Sequence, residues 1–190
     1  MSARPIPGGF CVWLTGLSGA GKTTLAGELA RRHEKRESRP MTLLDGDEAR
    51  KALCSELGFS REHRDLSVAR LALVASLIAK HGGACVVAVI SPYEAARAAG
   101  LGVIERQGLA LLVHVSTPLD VCEARDPKGL YARARSGALA GFTGVSDPYE
   151  PPPAPDLALD LGAMDVKRAC ELVEAALSSK MARSALSLVI

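Results

Sequence analysis

The sequence predicts an α/β domain of three layers built on a mostly parallel sheet. Short, nearly continuous apolar runs, suited to strands covered on both faces, alternate with longer amphipathic stretches suited to helices. Strand and helix in alternation imply right-handed crossovers and helices on both faces of the sheet. The 190 residues fit one domain spanning 1–190, and a chain of that size buries roughly 70% of the surface it exposes when unfolded.

The strand candidates are "FCVWLT" (10–15), "MTLLD" (41–45), "ACVVAVI" (84–90), "ALLVHV" (110–115) and "LALDL" (157–161). Helices are expected over 22–36, 64–80, 93–107 and 165–178. Two helix starts carry capping patterns. "SPYE" puts Ser91 at the N-cap, Pro92 at the first helical position and Glu94 at the third, and "TPLD" (117–120) repeats the arrangement. From about 126 to 155 the chain is rich in glycine and proline, with room for one short helix near Tyr131 and Arg135. A connection longer than about 12 to 15 residues in a compact domain is commonly a lid or binding loop. The C-terminal "KMARSALSLVI" either extends the last helix or packs on a partner.

Composition narrows the function classes. With 48% hydrophobic and 23% charged residues the chain is close to the globular average. A net charge of +2 gives no reason to expect nucleic acid or an anionic membrane as partner. No run of about 18 apolar residues occurs, and "MSARPIPGG" has no apolar leader. Cys11, Cys54, Cys85, Cys122 and Cys170 are scattered without a C-x-x-C pair, as expected of buried thiols in a reducing compartment. A cytoplasmic location follows as the expectation.

"GLSGAGKTT" (16–24) matches G-x-x-x-x-G-K-[ST] between an apolar strand and an amphipathic helix. Glycines let backbone N–H groups approach phosphate oxygens, and the helix N-terminus adds a favourable dipole. In such a loop Lys22 reaches the β and γ phosphates and the Thr23 hydroxyl ligates Mg²⁺. A switch GTPase or motor ATPase commonly ends another strand in a magnesium-holding Asp, whereas "ACVVAVI" runs into Ser91 and Pro92.

The acids instead follow the second strand. In "LLDGDEAR", Asp45 and Asp47 flank Gly46. If that strand lies beside the phosphate loop, one carboxylate faces the magnesium water shell and the other an acceptor hydroxyl whose proton it accepts. The same tripeptide also suits a turn in which Asp47 caps a helix starting near Glu48. Downstream, Arg50, Phe59, Arg64 and Arg70 interleave charge with an aromatic face, either as a solvated helix surface or as a site for a sulfate or phosphate beside a base.

The ordered set "GLSGAGKTT", "LLDGD", "LGFS", "ISPY", "CEARDPKGLY" and "GFTGVSDPYEPP" closely resembles adenylylsulfate kinases (APS kinases), over about residues 10–175. These enzymes phosphorylate the 3′-hydroxyl of adenosine 5′-phosphosulfate (APS) with MgATP. The resemblance implies a P-loop nucleoside-triphosphate hydrolase-like fold, a homodimer, a role in sulfate activation and an association with ATP sulfurylase. Carried over, Gly16, Leu17, Ser18, Gly19, Ala20, Gly21, Lys22, Thr23 and Thr24 bind ATP, with Arg125 on its base. Thr23 and Asp45 hold Mg²⁺, and Asp47 is the proton-accepting or magnesium-organising acid. Arg50 and Arg64 take the APS anion, Phe59 and Phe142 sandwich its base, and Lys128 stands beside the transferring phosphate or the APS anion. Ile90 and Ser91 also fall at the substrate, Ser91 on the family's proposed phosphoserine position, although a cap already accounts for a serine there.

Two departures stand out. Family members commonly read "LDGDNVRHGLN" where this chain has "LDGDEARKALC", with Lys51 and Cys54 in place of polar residues. Ser67 stands where a substrate-contacting Asn is usual, a change worth about 0.5–1.5 kcal/mol of substrate affinity. They keep open a related kinase acting on another hydroxyl. A non-catalytic nucleotide-binding subunit is the remaining alternative.

Overall fold

A computed structural model of the chain describes residues 8–187. Residues 1–7, part of the stretch read above for a leader, and the last three residues of the tail lie outside them. Five strands, β1 (Phe10–Thr15), β2 (Met41–Asp45), β3 (Ala84–Ala88), β4 (Leu109–Val115) and β5 (Leu157–Leu159), form one parallel sheet in the order β2-β3-β1-β4-β5. The helices are α1 (Lys22–Glu37), α2 (Gly46–Ala52), α3 (Arg61–Lys80), α4 (Glu94–Glu105), α5 (Leu119–Arg125), α6 (Leu130–Arg135) and α7 (Val166–Ser187).

Side chains alternate across β1, so one strand feeds two cores. Val12 and Leu14 pack with Leu25 and Leu29 of α1 and with Cys170 and Val173 of α7. Cys11 and Trp13 point the other way, onto Leu71 and Ala75 of α3 and Ile104 of α4. The sheet is thus the middle of three layers, and its inner strands β1 and β3 are buried throughout, whereas the edge strands β2 and β5 are only partly covered.

Several boundaries move for identifiable reasons. β3 stops at Ala88 rather than residue 90 because the chain turns out of the sheet, with Ser91 at φ 39°. β5 stops at Leu159 because the Leu161 N–H turns to the Thr117 hydroxyl, 3.2 Å away. α3 begins at Arg61, capped by Ser60, whose hydroxyl accepts from the His63 N–H at 3.3 Å. The tail continues α7 to Ser187.

Both capping patterns read from the sequence are absent. α4 starts at Glu94, and the Ser91 hydroxyl is buried between Trp13 and Thr15. The Glu94 N–H is instead taken by the Glu150 carboxylate at 2.7 Å, a cap supplied from 56 residues away. Thr117 donates to the Ala20 carbonyl at 2.9 Å and so braces the glycine-rich loop rather than α5.

Residues 126–155 contain α6 and a turn bridged between Thr143 and Asp147. Their start folds on itself, and their far end is tied to the turn after β3. Asp126 accepts from the N–H groups of Tyr131 and Ala132 at 3.1 and 3.0 Å, and the Glu150 N–H donates to the Pro92 carbonyl at 2.8 Å.

Two glycines probe this packing with opposite signs. A Cβ on Gly9 would lie 2.3 Å from the Ala79 carbonyl oxygen, whereas one on Gly102, inside α4, would meet only Arg106 at 3.8 Å. Gly9→Ala is expected to cost about 1–3 kcal/mol from overpacking, and Gly102→Ala to add about 0.4–1 kcal/mol. Urea unfolding midpoints check both, and a stabilising Gly9→Ala would contradict the strand-to-helix approach described.

Candidate functional site

The carboxyl ends of β1, β2 and β3 open into a cleft of about 940 Å³. Its phosphate end is the loop between β1 and α1. Gly19 and Gly21 adopt φ of 74° and 106°, and side chains there would strike the Cys122 carbonyl oxygen at 2.9 Å and Leu161 at 2.8 Å. α1 starts without a side-chain cap and without an acid in its first turn, which leaves its leading N–H groups and dipole to an outside anion. Gly16, Leu17 and Ala20 shape the loop from beneath, while Ser18, Gly19, Gly21, Lys22, Thr23 and Thr24 line the cleft.

Lys22 is buried, its ammonium donating to the carbonyls of Gly16 at 2.9 Å and Leu17 at 2.7 Å. Burial pulls its pKa down to about 8, with Asp45 and Asp47 opposing the shift and Lys128 reinforcing it. A phosphate group would supply the missing counter-charge.

β3 lies between β2 and β1 in the sheet, yet the end of β2 still lies beside the phosphate loop, the condition set in the sequence reading. Contact with the loop is made across β3 by Thr23, whose hydroxyl donates to Asp45 Oδ2 at 2.7 Å. Asp45 Oδ1 accepts from the Asp47 N–H at 2.9 Å, so Asp45 rather than Asp47 caps α2, which begins at Gly46 rather than near Glu48. That leaves the Asp47 carboxylate largely exposed in the first turn of α2, ion-paired with Lys128 from the 126–155 segment. Both residues line the cleft, close enough for their charges to act on Lys22.

The far wall carries the remaining predicted residues. Arg50 donates to the carbonyls of Leu57 and Gly58 at 3.1 Å, and its guanidinium lies 4.4 Å from the centre of the exposed Phe59 ring. Arg64 is nearly buried and donates to the Phe59 carbonyl at 2.8 Å, the Thr143 hydroxyl at 2.7 Å and the Gly141 carbonyl at 2.5 Å. Much of its hydrogen-bonding capacity therefore holds the wall together. Phe142 is buried edge-on against Tyr131, with ring centres 5.0 Å apart, and the Tyr131 hydroxyl donates to the Ser18 carbonyl at 2.9 Å. Burial pushes the Tyr131 phenol well up, so it stays a donor. Ser67, Ile90 and Ser91 line the same wall. Arg125 lies at the opposite end, donating to Gly19 at 3.3 Å and Leu161 at 2.5 Å.

Sequence reasoning missed the buried polar junction beneath this wall. The Trp13 indole donates to the Ser91 hydroxyl at 3.2 Å, and Ser91 donates to the Thr15 hydroxyl at 3.0 Å. Thr15 also meets the Tyr149 hydroxyl at 3.1 Å, and Arg97, fully buried, donates to the Ser91 carbonyl at 2.6 Å. The one available signal was an arginine standing alone among the small residues of "EAARAAG".

Among known proteins, the description "Adenylylsulphate kinase" matches residues 8–160. The adenylyl-sulfate kinase of Myxococcus xanthus is 52% identical over 150 residues, 78% of this chain and 80% of that protein. The sulfate adenylyltransferase of Gibberella zeae is 45% identical over 166 residues, and there the match covers 86% of this chain but only 29% of the larger protein. The structure of the Mycobacterium tuberculosis APS kinase CysC in complex with AMPPNP and APS superposes with a TM-score of 0.84 at 40% identity, covering 90% of this chain and 99% of that one. A match over most of the chain, at such identity and with the same fold, means that this chain belongs to the adenylylsulphate kinase family.

Proposed function

We propose that the protein transfers the γ-phosphoryl group of ATP to the 3′-hydroxyl of APS, giving 3′-phospho-APS and ADP. The observation that carries this reading is the convergence of the glycine-rich loop, the Thr23–Asp45 pair, the Asp47–Lys128 pair and an aromatic wall on one cleft. In the transfer, the bond from the γ-phosphorus to the β–γ bridging oxygen breaks and a bond to the 3′-oxygen forms. The hydroxyl proton passes to Asp47, and ADP leaves with the bridging oxygen.

The loop's N–H groups and Lys22 hold the β and γ phosphates, and Arg125 covers the ATP base. Thr23 and Asp45 present neighbouring oxygens of the hard type that Mg²⁺ accepts alongside substrate phosphates. When bound there, Mg²⁺ neutralises charge on the β and γ oxygens. APS lies across the wall with its base at Phe59 and Phe142 and its anion toward Arg50 and Arg64. A base arriving at Phe59 takes over the ring face that the Arg50 guanidinium now covers, freeing that cation for the anion. Ser67 offers only a short hydroxyl to this wall. Lys128 first holds Asp47 in place and then follows the transferring phosphoryl. Ser91 forms no covalent intermediate, since its hydroxyl is engaged by Trp13 and Thr15.

The family resemblance also supports a cytoplasmic homodimer working beside ATP sulfurylase. Leu66, Leu73 and Leu77 of α3 stay 42–55% exposed and give a second copy an apolar surface to cover. A sedimentation mass equal to one chain would remove the dimer from this reading. All five cysteines are free and buried, in keeping with a reducing compartment. Among the described residues no helix is long and apolar enough to cross a membrane.

Purified protein given MgATP and APS is expected to release ADP and 3′-phospho-APS, and no product above blank at micromolar APS would overturn the activity. Asp47→Asn is expected to lower kcat by roughly 100-fold or more while ATP binding changes less than about twofold; unchanged turnover would remove Asp47 from the mechanism.

Lys22 sets a pH dependence. Its pKa in the folded chain is about 8, below the ordinary lysine value of 10.5, so the folded chain carries the charged form only below about 8. Above that, ATP must restore the proton to gain the contact. The Kd for ATP is therefore expected to stay flat up to about pH 8 and then to rise by up to about tenfold per pH unit, with proton uptake on binding. Calorimetry in buffers of different ionisation enthalpy measures both. A flat Kd to pH 9.5 would contradict the role given to Lys22.

A further inference from the structure

The acceptor wall is assembled from two segments far apart in sequence. Ile90, Ser91 and Pro92 come from the turn after β3, and Gly141, Phe142 and Thr143 from the segment preceding β5. Gly141 and Thr143 are held by Arg64, and the root of their segment, at Glu150, is tied to the turn after β3 by Arg97, in the first turn of α4. Its guanidinium is fully buried. One terminal nitrogen donates to the Ser91 carbonyl at 2.6 Å; the other terminal nitrogen donates to the Glu94 carboxylate at 2.6 Å and to the Glu150 carbonyl, while the buried Nε has no hydrogen-bond partner among the described residues.

The partner segments reciprocate. The Glu150 N–H donates to the Pro92 carbonyl at 2.8 Å, and the Glu150 carboxylate caps Glu94 at 2.7 Å. Ser91, at φ 39°, holds a left-handed conformation that non-glycine residues rarely adopt. Such a conformation persists only where its surroundings impose it. Here Trp13 and Thr15 fix the hydroxyl, and Arg97 fixes the carbonyl. The nucleotide loop itself, residues 16–24, makes none of these bonds; of the strand that carries it only Trp13 and Thr15 take part, and neither bonds Arg97.

We infer that Arg97 is a positioning residue for the acceptor: it clamps the turn after β3 to the root of the 126–155 segment, and so sets APS affinity without touching either substrate. This rests on the activity proposed above. A residue needed only for folding would disturb both substrates alike. A clamp on one wall disturbs only the substrate that uses that wall.

The test begins with wild-type turnover of APS, whose absence would defeat the proposed activity and not the clamp. In folded Arg97→Met the KM for APS is expected to rise at least tenfold, with the KM for ATP within twofold and kcat within threefold. Arg97→Lys, which restores one donor, is expected to fall between wild type and Arg97→Met. Unchanged KM for APS, or equal rises for both substrates, would overturn the inference. Should Arg97→Met fail to fold, Arg97→Lys is decisive, with a rise of about threefold or more in the KM for APS alone expected and no change, or equal rises for both substrates, overturning. Amide hydrogen exchange in Arg97→Lys reads the clamp without any substrate. Faster exchange at residues 89–94 and 147–150 with 16–25 unchanged supports it, and a uniform change overturns it.

Discussion

Asp45 divides its two carboxylate oxygens between two elements. Oδ1 accepts the Asp47 N–H that opens α2, and Oδ2 accepts the Thr23 hydroxyl at the start of α1. β3 separates β2 from β1 in the sheet, so without this bridge the acids of "DGD" and the glycine-rich loop would belong to strands that do not touch. The cap is worth about 1 kcal/mol to α2, and its larger consequence is geometric. By occupying the N-cap itself, Asp45 leaves the Asp47 carboxylate free to project into the cleft and to meet Lys128.

Around that bridge the cleft balances opposed charges in a partly dry setting. Burial takes water from the Lys22 ammonium and lowers its pKa, a cost that an anionic ligand offsets by supplying the counter-charge. The opposite wall is braced by hydrogen bonds between side chains and carbonyls: Arg50 to Leu57 and Gly58, Arg64 to Phe59 and Gly141, and Tyr131 to Ser18. Each bond joins the wall or the 126–155 segment to another part of the rim. The segment is therefore a folded cover whose far end is fixed. Lys128, exposed near its start and held by one ion pair, is left to respond to substrates, whereas Phe142 is buried and its neighbours are tied to Arg64.

Much of the fold was legible because the physics that makes strands is local. The apolar runs at 10–15 and 41–45 coincide with β1 and β2, and residues recurring on one face locate α1 and α3. The glycine-rich loop was equally plain, since its motif and its context are contiguous. What escaped was cooperation over distance. Ser91 and Glu94 have the spacing of a capping box, yet Glu150 reaches the helix N-terminus first and Ser91 turns to Trp13. "DGD" offers two acids either of which can cap a helix, and the choice of Asp45 shows only once α2 is seen to start at Gly46. Arg97 is one arginine among alanines until its partners from two other segments are in place.

The bridge itself is best tested by a double-mutant cycle on kcat/KM using Thr23→Val, Asp45→Asn and the combined variant. If Thr23 and Asp45 act through one another, the two losses should overlap, with a coupling energy of at least about 1.5 kcal/mol. Losses that add to within about 0.5 kcal/mol would mean that the two side chains work independently, and the account of a site organised by Asp45 would fail.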